Sequence, residues 1–306
     1  MSEKEGLPAK SSSIINPRAA KNKWLRKKKL RTYLQKKLLG QVYDVLGEKD
    51  NTVELARSLS QSSEMIVAVG GDGTVADVMQ GIIESKKAGE VVLGIVPFGS
   101  GNAFRKSLSI PKKTKKAINI LITGEPKEIG LVQVEDKVAG FASVGVTAGI
   151  TLEKLRHEIQ GLWGHVLAAR KLYSLPVEEK EVELLDGLED DGTTFAQKKL
   201  KLKFLDCVVA KTNYFGYSWA IAPKARVDDD YLDITFFELS KLKYILFFPL
   251  IYFGIYQRTQ KHFKAKKIII SGKNLPIQYN GEVLGVRDRI ELKVLPRAMK
   301  IICPKK

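Results

Sequence analysis

The 306-residue chain has little cysteine and little histidine: two cysteines, Cys207 and Cys303, and three histidines. Both cysteines stand in apolar, strand-like runs without CxxC spacing, which excludes a disulfide framework and a zinc site and leaves two buried free thiols as the expectation. His165 and His262 have no partner spacing and read as ordinary residues. Long apolar runs are missing too. The longest, Tyr244 to Tyr256, is thirteen residues interrupted by Pro249 and Gly254, well short of the roughly 20 that span a bilayer. Met1 to Ser13 has no apolar h-region, so no signal peptide is expected, and no internal repeat is visible.

Positive charge is what the chain has in excess, with 51 Lys and Arg against 34 Asp and Glu, a formal net charge of +17. Residues 1–40 hold twelve Lys/Arg and two Glu, and residues 241–273 hold eight Lys/Arg and no acid, so these two segments account for the excess. Such concentration fits an anionic partner at particular faces, whether nucleic acid, anionic lipid or polyphosphate; the alternative is a solvated basic helix. With 44% hydrophobic and 28% charged residues, the chain can bury a sizeable core, and its length favours two domains.

Ser13-Ile14-Ile15-Asn16-Pro17 reads as a short strand ending in a turn, because Pro17 cannot continue a ladder. A basic helical stretch follows from Lys21 to Leu39. Gln41 to Leu46 alternates like a second strand, and Thr52 to Gln61 has helical spacing with Asn51 or Thr52 as cap. Met65 to Val69 is a buried apolar run stopping at Gly70-Gly71-Asp72-Gly73-Thr74. Val75 to Ser85 is then a helix, Val91 to Val96 a strand ending at Pro97-Phe98-Gly99-Ser100-Gly101-Asn102, and Lys115 to Thr123 a closing helix. This alternation predicts an α/β layer with a mostly parallel sheet.

From about Gly124 the pattern changes to short alternating segments: Leu131 to Val134, Val138 to Ser143, Glu181 to Leu185, Lys199 to Ala210, Tyr217 to Ile221, Asp233 to Glu238, Lys267 to Ser271, Pro276 to Tyr279 and Arg289 to Val294. They predict an antiparallel sandwich or barrel. Leu155 to Leu175 reads as a helix crossing it, and Leu188 to Gln197 as an exposed acidic loop. The expected organisation is a polar leader at 1–11, an α/β domain at 12–123 and a β-rich domain at 124–296.

The chemistry gathers at two glycine-rich loops. Gly70-Gly71-Asp72-Gly73-Thr74 lies at the carboxyl end of a buried strand and just before a helix, where open α/β sheets bind ligands. Its glycines let backbone N–H groups approach a phosphate, and the helix N-terminus adds a favourable dipole. Asp72 would repel polyphosphate unless it binds a metal or accepts a proton; taken alone, the motif also reads as a strand-to-helix turn with an Asx cap. Pro97-Phe98-Gly99-Ser100-Gly101-Asn102 follows the next buried strand, so both loops meet on one sheet edge. Neither is a Walker A loop or a nicotinamide GxGxxG.

Asn16-Pro17, the GGDGT at 70–74 and the PFGSGN at 97–102, in this order, resemble the diacylglycerol kinase catalytic-domain family, which includes sphingosine kinases and bacterial lipid kinases. The likeness continues through Asn213, Gly216, Ala222-Pro223-Lys224-Ala225, Asp228-Asp229-Asp230, Leu232-Asp233 and Tyr279-Asn280-Gly281-Glu282, and spans about residues 12–306. The resemblance implies an α/β N-terminal domain like that of NAD kinase and phosphofructokinase, a sandwich-like C-terminal domain, and a last strand (297–306) returning to the first domain. It implies ATP in the cleft between domains, with phosphates on Gly70, Gly71, Gly73 and Thr74, and the nucleotide flanked by Asn16, Pro97, Gly99, Ser100, Gly101 and Asn102. Asp72 and Glu282 would organise Mg²⁺, and Asp229 with carbonyls near Arg226 and Tyr231 would form a second, structural metal position. Phosphoryl transfer asks for such positioning and charge neutralisation more than for covalent chemistry.

Four positions depart from the family pattern. Asn280 stands where an aspartate often proposed as general base is usual, and an amide cannot take a proton; Asp72 then becomes the candidate base. Thr147 stands where an acid is common, Asp230 replaces a glycine, and Ala19-Ala20 replaces Ser-Gly.

Lys241 to Lys267 interleaves Tyr, Phe and Ile with Lys and Arg. It reads either as a membrane-facing element, aromatics in the headgroup region and cations on anionic lipid, or as a helix packed on the sandwich. The reading is a lipid kinase acting on a hydroxyl such as that of diacylglycerol, attached peripherally to an anionic membrane on the cytoplasmic, inner face. A homodimer stays open, and no nucleic acid is expected as partner, since no zinc spacing or RNP-like motif accompanies the basic helix. A soluble-substrate kinase, a sphingoid-base kinase and a catalytically impaired binding protein are the alternatives.

Overall fold

Met65 to Val69 has no polar residue to turn toward solvent, and a strand buried on both faces needs none. In the computed structural model, which describes residues 10–17, 32–33, 41–44, 49–99, 102–156, 177–216 and 219–305, this run is the centre of a parallel sheet. It forms β3 (Met65–Gly70), with β1 (Ser11–Ile15) on one side and β4 (Val92–Pro97) on the other. β2 (Gln41–Asp44) pairs parallel with β1. Lys300 and Ile301, near the end of β13 (Glu282–Cys303), pair parallel with Val92 and Leu93 of β4.

Helices α1 (Lys49–Leu59), α2 (Asp72–Glu84), α3 (Ala103–Ser107) and α4 (Thr114–Thr123) alternate with these strands. Ile118 and Leu121 of α4 share a core with Val67, Val69, Val96 and Ile302. Two start points differ from the sequence reading. α1 begins at Lys49, so Asn51 and Thr52 lie inside the helix and do not cap it. α2 begins at Asp72, and its N-cap is Gly71 with no side-chain bond, so Asp72 is not an Asx cap.

The chain divides into two units, one formed by residues up to Ile129 with Arg297–Lys306 and the short 216–218 stretch, the other by the remainder from Gly130 to Pro296. The second unit is built from β5 (Glu125–Val134), β6 (Lys137–Ala139), β7 (Phe141–Gly145), β8 (Lys180–Glu189), β9 (Thr194–Leu202), β10 (Asp206–Ala210), β11 (Leu232–Phe237), β12 (Lys261–Tyr279) and β13. Its named strand pairs are antiparallel. β12 meets β11 at Lys261–Ala265 and β7 at Ile277–Tyr279, and β10 bridges β11 to β7, so the sheet closes on itself. Val144, Leu184, Val209, Ile234, Ile268, Ile270 and Leu292 belong to its core.

Pairing overrode local turn signals here. Lys267 to Ser271 and Pro276 to Tyr279 are not two strands but parts of the 19-residue β12, which absorbs Gly272-Lys273-Asn274 as a register shift between Ser271 and Leu275. Arg289 to Val294 likewise belongs to the 22-residue β13. A bulge keeps a strand paired through residues that would otherwise end it. The predicted acidic loop at Leu188 to Gln197 is the β8–β9 hairpin, with Leu188 opposite Thr194. Lys199 to Ala210 breaks at Lys203–Leu205 into β9 and β10, and Val138 to Ser143 breaks at Gly140 into β6 and β7.

Of the predicted Leu155–Leu175 helix, only the start lies within the described residues, at the end of α5 (Val146–Arg156). The basic helix at Lys21 to Leu39 lies outside them apart from Thr32 and Tyr33. Tyr217 and Ser218 also lie outside, and Trp219 makes an isolated bridge with Phe215. Lys241 to Lys267 is no single helix. Pro249 stands in the first turn of a new one, dividing it into α6 (Lys241–Leu246) and α7 (Phe248–Tyr252), and its basic end is the start of β12.

Candidate active site

Both predicted loops lie at the carboxyl edge of the first unit's sheet and touch through backbone. The N–H groups of Phe98 and Gly99 donate to the Gly70 carbonyl at 2.7 and 3.1 Å. A Cβ on Gly99 would fall 2.3 Å from Gly71 Cα, so only glycine permits this approach. Asn102, in the left-handed region at φ 50°, ties its own loop by accepting from Gly99 N–H and donating to the Gly99 carbonyl at 2.6 Å. Asn16, just past β1, donates to Thr74 Oγ1 at 3.1 Å. The fold thus gathers Asn16, Gly70, Gly71, Asp72, Gly73, Thr74, Pro97, Gly99 and Asn102 at one edge. Ser100 and Gly101 lie outside the described residues.

Gly73 differs from its neighbours. A methyl group there would meet none of the described residues within 4 Å beyond its own helix turn, and its φ is not left-handed. Neither packing nor backbone conformation calls for glycine in this first turn of α2, where glycine is unfavourable by about 0.5–1 kcal/mol relative to alanine. The open space is suited to a ligand lying against the helix N-terminus.

Asp72 Oδ1 accepts the Phe104 N–H at 3.1 Å, joining the first loop to α3. Burial pushes this carboxyl above the ordinary range, against the backbone N–H groups of Ala103, Phe104 and Asn102 and the charge of Arg105. Arg105, which sequence reading passed over, donates to the Ile110 carbonyl at 2.8 Å, and burial lowers its pKa. Its position three residues after the PFGSGN motif was the available signal. A carboxyl shifted upward beside this open space can bind a metal or take a proton. Among the described residues no three His, Cys, Asp or Glu side chains cluster as metal ligands. One carboxylate plus nucleotide phosphates is a usual Mg²⁺ set, so Asp72 fits an ion brought with its nucleotide.

In the second unit, Asn280 and Gly281 form the two-residue turn between β12 and β13, at φ 48° and 88°, which suits the Asn-Gly hairpin preference. Asn280 Oδ1 accepts the Gly140 N–H at 2.9 Å, and its Nδ2 points at the Val138 carbonyl at 3.5 Å. Its amide holds the β6–β7 break. Glu282 is exposed at the start of β13. Thr147 donates to Asp206, a fully buried carboxyl that burial raises to about 7. The acid missing at Thr147 thus has a carboxyl beside it, from residue 206, at the start of β10.

Asp229 and the Tyr231 carbonyl do converge, but on a lysine. Lys211 Nζ contacts Asp229 Oδ1 and, at 2.7 Å each, the carbonyls of Asp229 and Tyr231. Lys264 holds Asp229 Oδ2 at 2.6 Å. Burial lowers the Lys211 pKa against the pull of Asp229. The Arg226 side chain meets Asp228 Oδ1 at 3.2 Å. His262, read from sequence as an ordinary residue, lies between Asp190 at 2.6 Å and Asp233 at 3.0 Å. Burial would lower its pKa, and the two carboxylates outweigh that and raise it.

The segment from Lys241 to Thr259 leaves Leu242, Leu246 and Phe253 each 68% exposed, while Tyr244 and Ile251 anchor it in the core. Lys261, Lys264 and Lys267, counted among its basic residues, are paired with Glu238, Asp229 and Glu291. No helix among the described residues is long and apolar enough to cross a membrane.

A parallel sheet presenting two touching glycine loops, followed by a β-rich unit, is the architecture of a class of nucleotide-dependent kinases. Residues 11–134 match the diacylglycerol kinase catalytic domain, and residues 186–303 match the YegS C-terminal NAD kinase beta sandwich-like domain. Residues 11–134 thus carry the diacylglycerol kinase catalytic domain. It is 27% identical over 250 residues to a diacylglycerol kinase of Staphylococcus saprophyticus subsp. saprophyticus, covering 77% of each chain. To a diacylglycerol kinase of Staphylococcus aureus it is 28% identical over 197 residues, covering 63% of this chain and 58% of that one. A solved structure described as a diacylglycerol kinase from Bacillus anthracis str. Sterne superimposes with a TM-score of 0.70 at 17% identity, over 96% of this chain and 97% of that one. At that identity the likeness speaks for the fold.

Proposed function

We propose that the protein is an ATP-dependent lipid kinase, phosphorylating a lipid hydroxyl such as that of diacylglycerol at an anionic membrane surface. The observation that carries this reading is Gly73: a glycine at a helix N-terminus whose missing side chain leaves open space among the described residues, beside two loops whose contact no side chain would allow. Such an opening offers backbone N–H groups and a helix dipole to a polyphosphate. Asp72 would hold Mg²⁺ together with the phosphates, and the ion would neutralise charge on the transferring group. Asn280 is an amide engaged with Gly140 and cannot receive the hydroxyl proton; Asp72, whose carboxyl burial shifts upward, is the candidate base in an arrangement where it does not itself ligate the ion.

The membrane part of the reading rests on the exposed Leu242, Leu246 and Phe253 beside Lys243. Apolar side chains next to cations are the composition of an interfacial anchor. The test is transfer of labelled phosphate from ATP to mixed vesicles containing diacylglycerol, to NAD and to soluble sugars. Label in an organic-phase phosphatidic acid is the expected result. Label confined to an NAD or sugar product, or no transfer at all, would overturn it.

A further inference from the structure

Lys211, the residue after β10, has no solvent exposure. Its N–H is tied to the Gly140 carbonyl at 2.7 Å, and its stem passes over Gly130, where a methyl group would lie 2.9 Å from Cε. The side chain is thereby directed to one place. Its ammonium has three N–H donors, and three oxygens receive them: Asp229 Oδ1 and the carbonyls of Asp229 and Tyr231. The remaining carboxylate oxygen faces Lys264.

The family resemblance would put a divalent cation among these same oxygens. Mg²⁺ asks for six ligands at roughly 2.0–2.1 Å and Ca²⁺ for about 6–8 at 2.3–2.6 Å. Here the carbonyls lie at nitrogen hydrogen-bond distance, and both oxygens of Asp229 already meet an ammonium. A divalent ion would have to displace a buried lysine or sit against its charge. The residues present do not fit a metal. We infer that the Arg226–Tyr231 loop is fastened by a cation the chain supplies itself, the Lys211 ammonium, and that no structural divalent ion sits at this loop.

Thermal unfolding of the full chain without nucleotide, in EDTA and then in millimolar Mg²⁺ or Ca²⁺, tests this. The same midpoint in all three is expected. A midpoint that falls in EDTA and returns with either ion overturns the inference. Lys211→Met, which keeps the length and removes the charge, should lower the midpoint in EDTA by roughly 5–10 °C, since it takes the buried cation away from one Asp229 oxygen and two carbonyls; an unchanged midpoint would also overturn it. Should that variant fail to fold, the wild-type comparison still decides. Both readouts are stabilities, so failure here leaves the kinase reading standing, and an inactive protein leaves this inference testable.

Discussion

The glycine loops of the first unit and the buried charges of the second are both polar constructions inside a folded core, yet they are built in opposite ways. The loops use residues consecutive in sequence, held by backbone hydrogen bonds, and Gly73 leaves space that none of the described residues beyond its own helix turn fills. The second unit joins Lys211, Asp229 and Lys264, and separately Asp190, Asp233 and His262, across wide sequence separations, and sets these charges against one another. A region that leaves groups unspent is available for chemistry, whereas one that satisfies them internally holds structure. Substitutions in the first should therefore change turnover, and substitutions in the second should change stability.

The largest expected effect is that of Asp72→Asn. Turnover should fall by on the order of 10²–10⁴ if Asp72 serves as base or metal ligand, while the unfolding midpoint stays close to wild type, because an amide oxygen can still accept the Phe104 N–H. Near-normal turnover at saturating ATP and Mg²⁺ would remove Asp72 from the mechanism.

Gly73→Ala and Gly99→Ala form a sharper pair. The first adds a methyl group in open space, so the midpoint should hold or rise slightly while KM for ATP increases about 10-fold or more, a loss of roughly 1.4 kcal/mol in binding. The second drives a methyl group into Gly71 backbone and should lower stability by about 1–3 kcal/mol. Equal damage to stability by both would mean that Gly73 is structural and the contrast between the regions fails there.

In the second unit the readout is pH. Asp206 is raised to about 7 by burial, so its contribution is full below the ordinary carboxyl range near pH 4 and is lost as pH rises through 7. His262, also raised, contributes below the ordinary imidazole value and loses that contribution as pH rises through its folded value, so both slopes run the same way. Asp206→Asn removes one of them. Its midpoint should vary less between pH 4 and 8 than that of wild type, and above pH 7 it should be the more stable protein by a few kcal/mol, on the order of the shift. Parallel curves for the two proteins would show that Asp206 does not titrate in that window.

The smallest effect is expected at the exposed segment, which belongs to neither pattern. Leu242→Ser, Leu246→Ser and Phe253→Ser together should weaken cosedimentation with anionic vesicles about tenfold or more without moving the midpoint. Lys266→Gln should change it only a few-fold, about 1 kcal/mol for one exposed cation. Wild-type protein that ignores vesicle charge and apolar depth alike would leave the segment with no role in docking.

The sequence by itself determined what depends on neighbours along the chain. The Met65 to Val69 run has no polar face and had to be an interior strand; Gly70 to Thr74 had to turn; and the motif order carried the family. It also placed Asn16, Asp72, Gly73 and Asn102 among the candidates, because their roles are exercised within a few bonds of the backbone that positions them. What only the tertiary structure decided is where long side chains end. Nothing local distinguishes Lys211 from a solvated lysine, or Lys264 and Lys267 from lipid-binding cations. Gly272-Lys273-Asn274 looked like a turn until β12 was paired on both sides of it. Ion pairing and strand pairing act through space between residues tens of positions apart, and the free energy that selects one partner over water exists only after the intervening chain has folded and excluded the water.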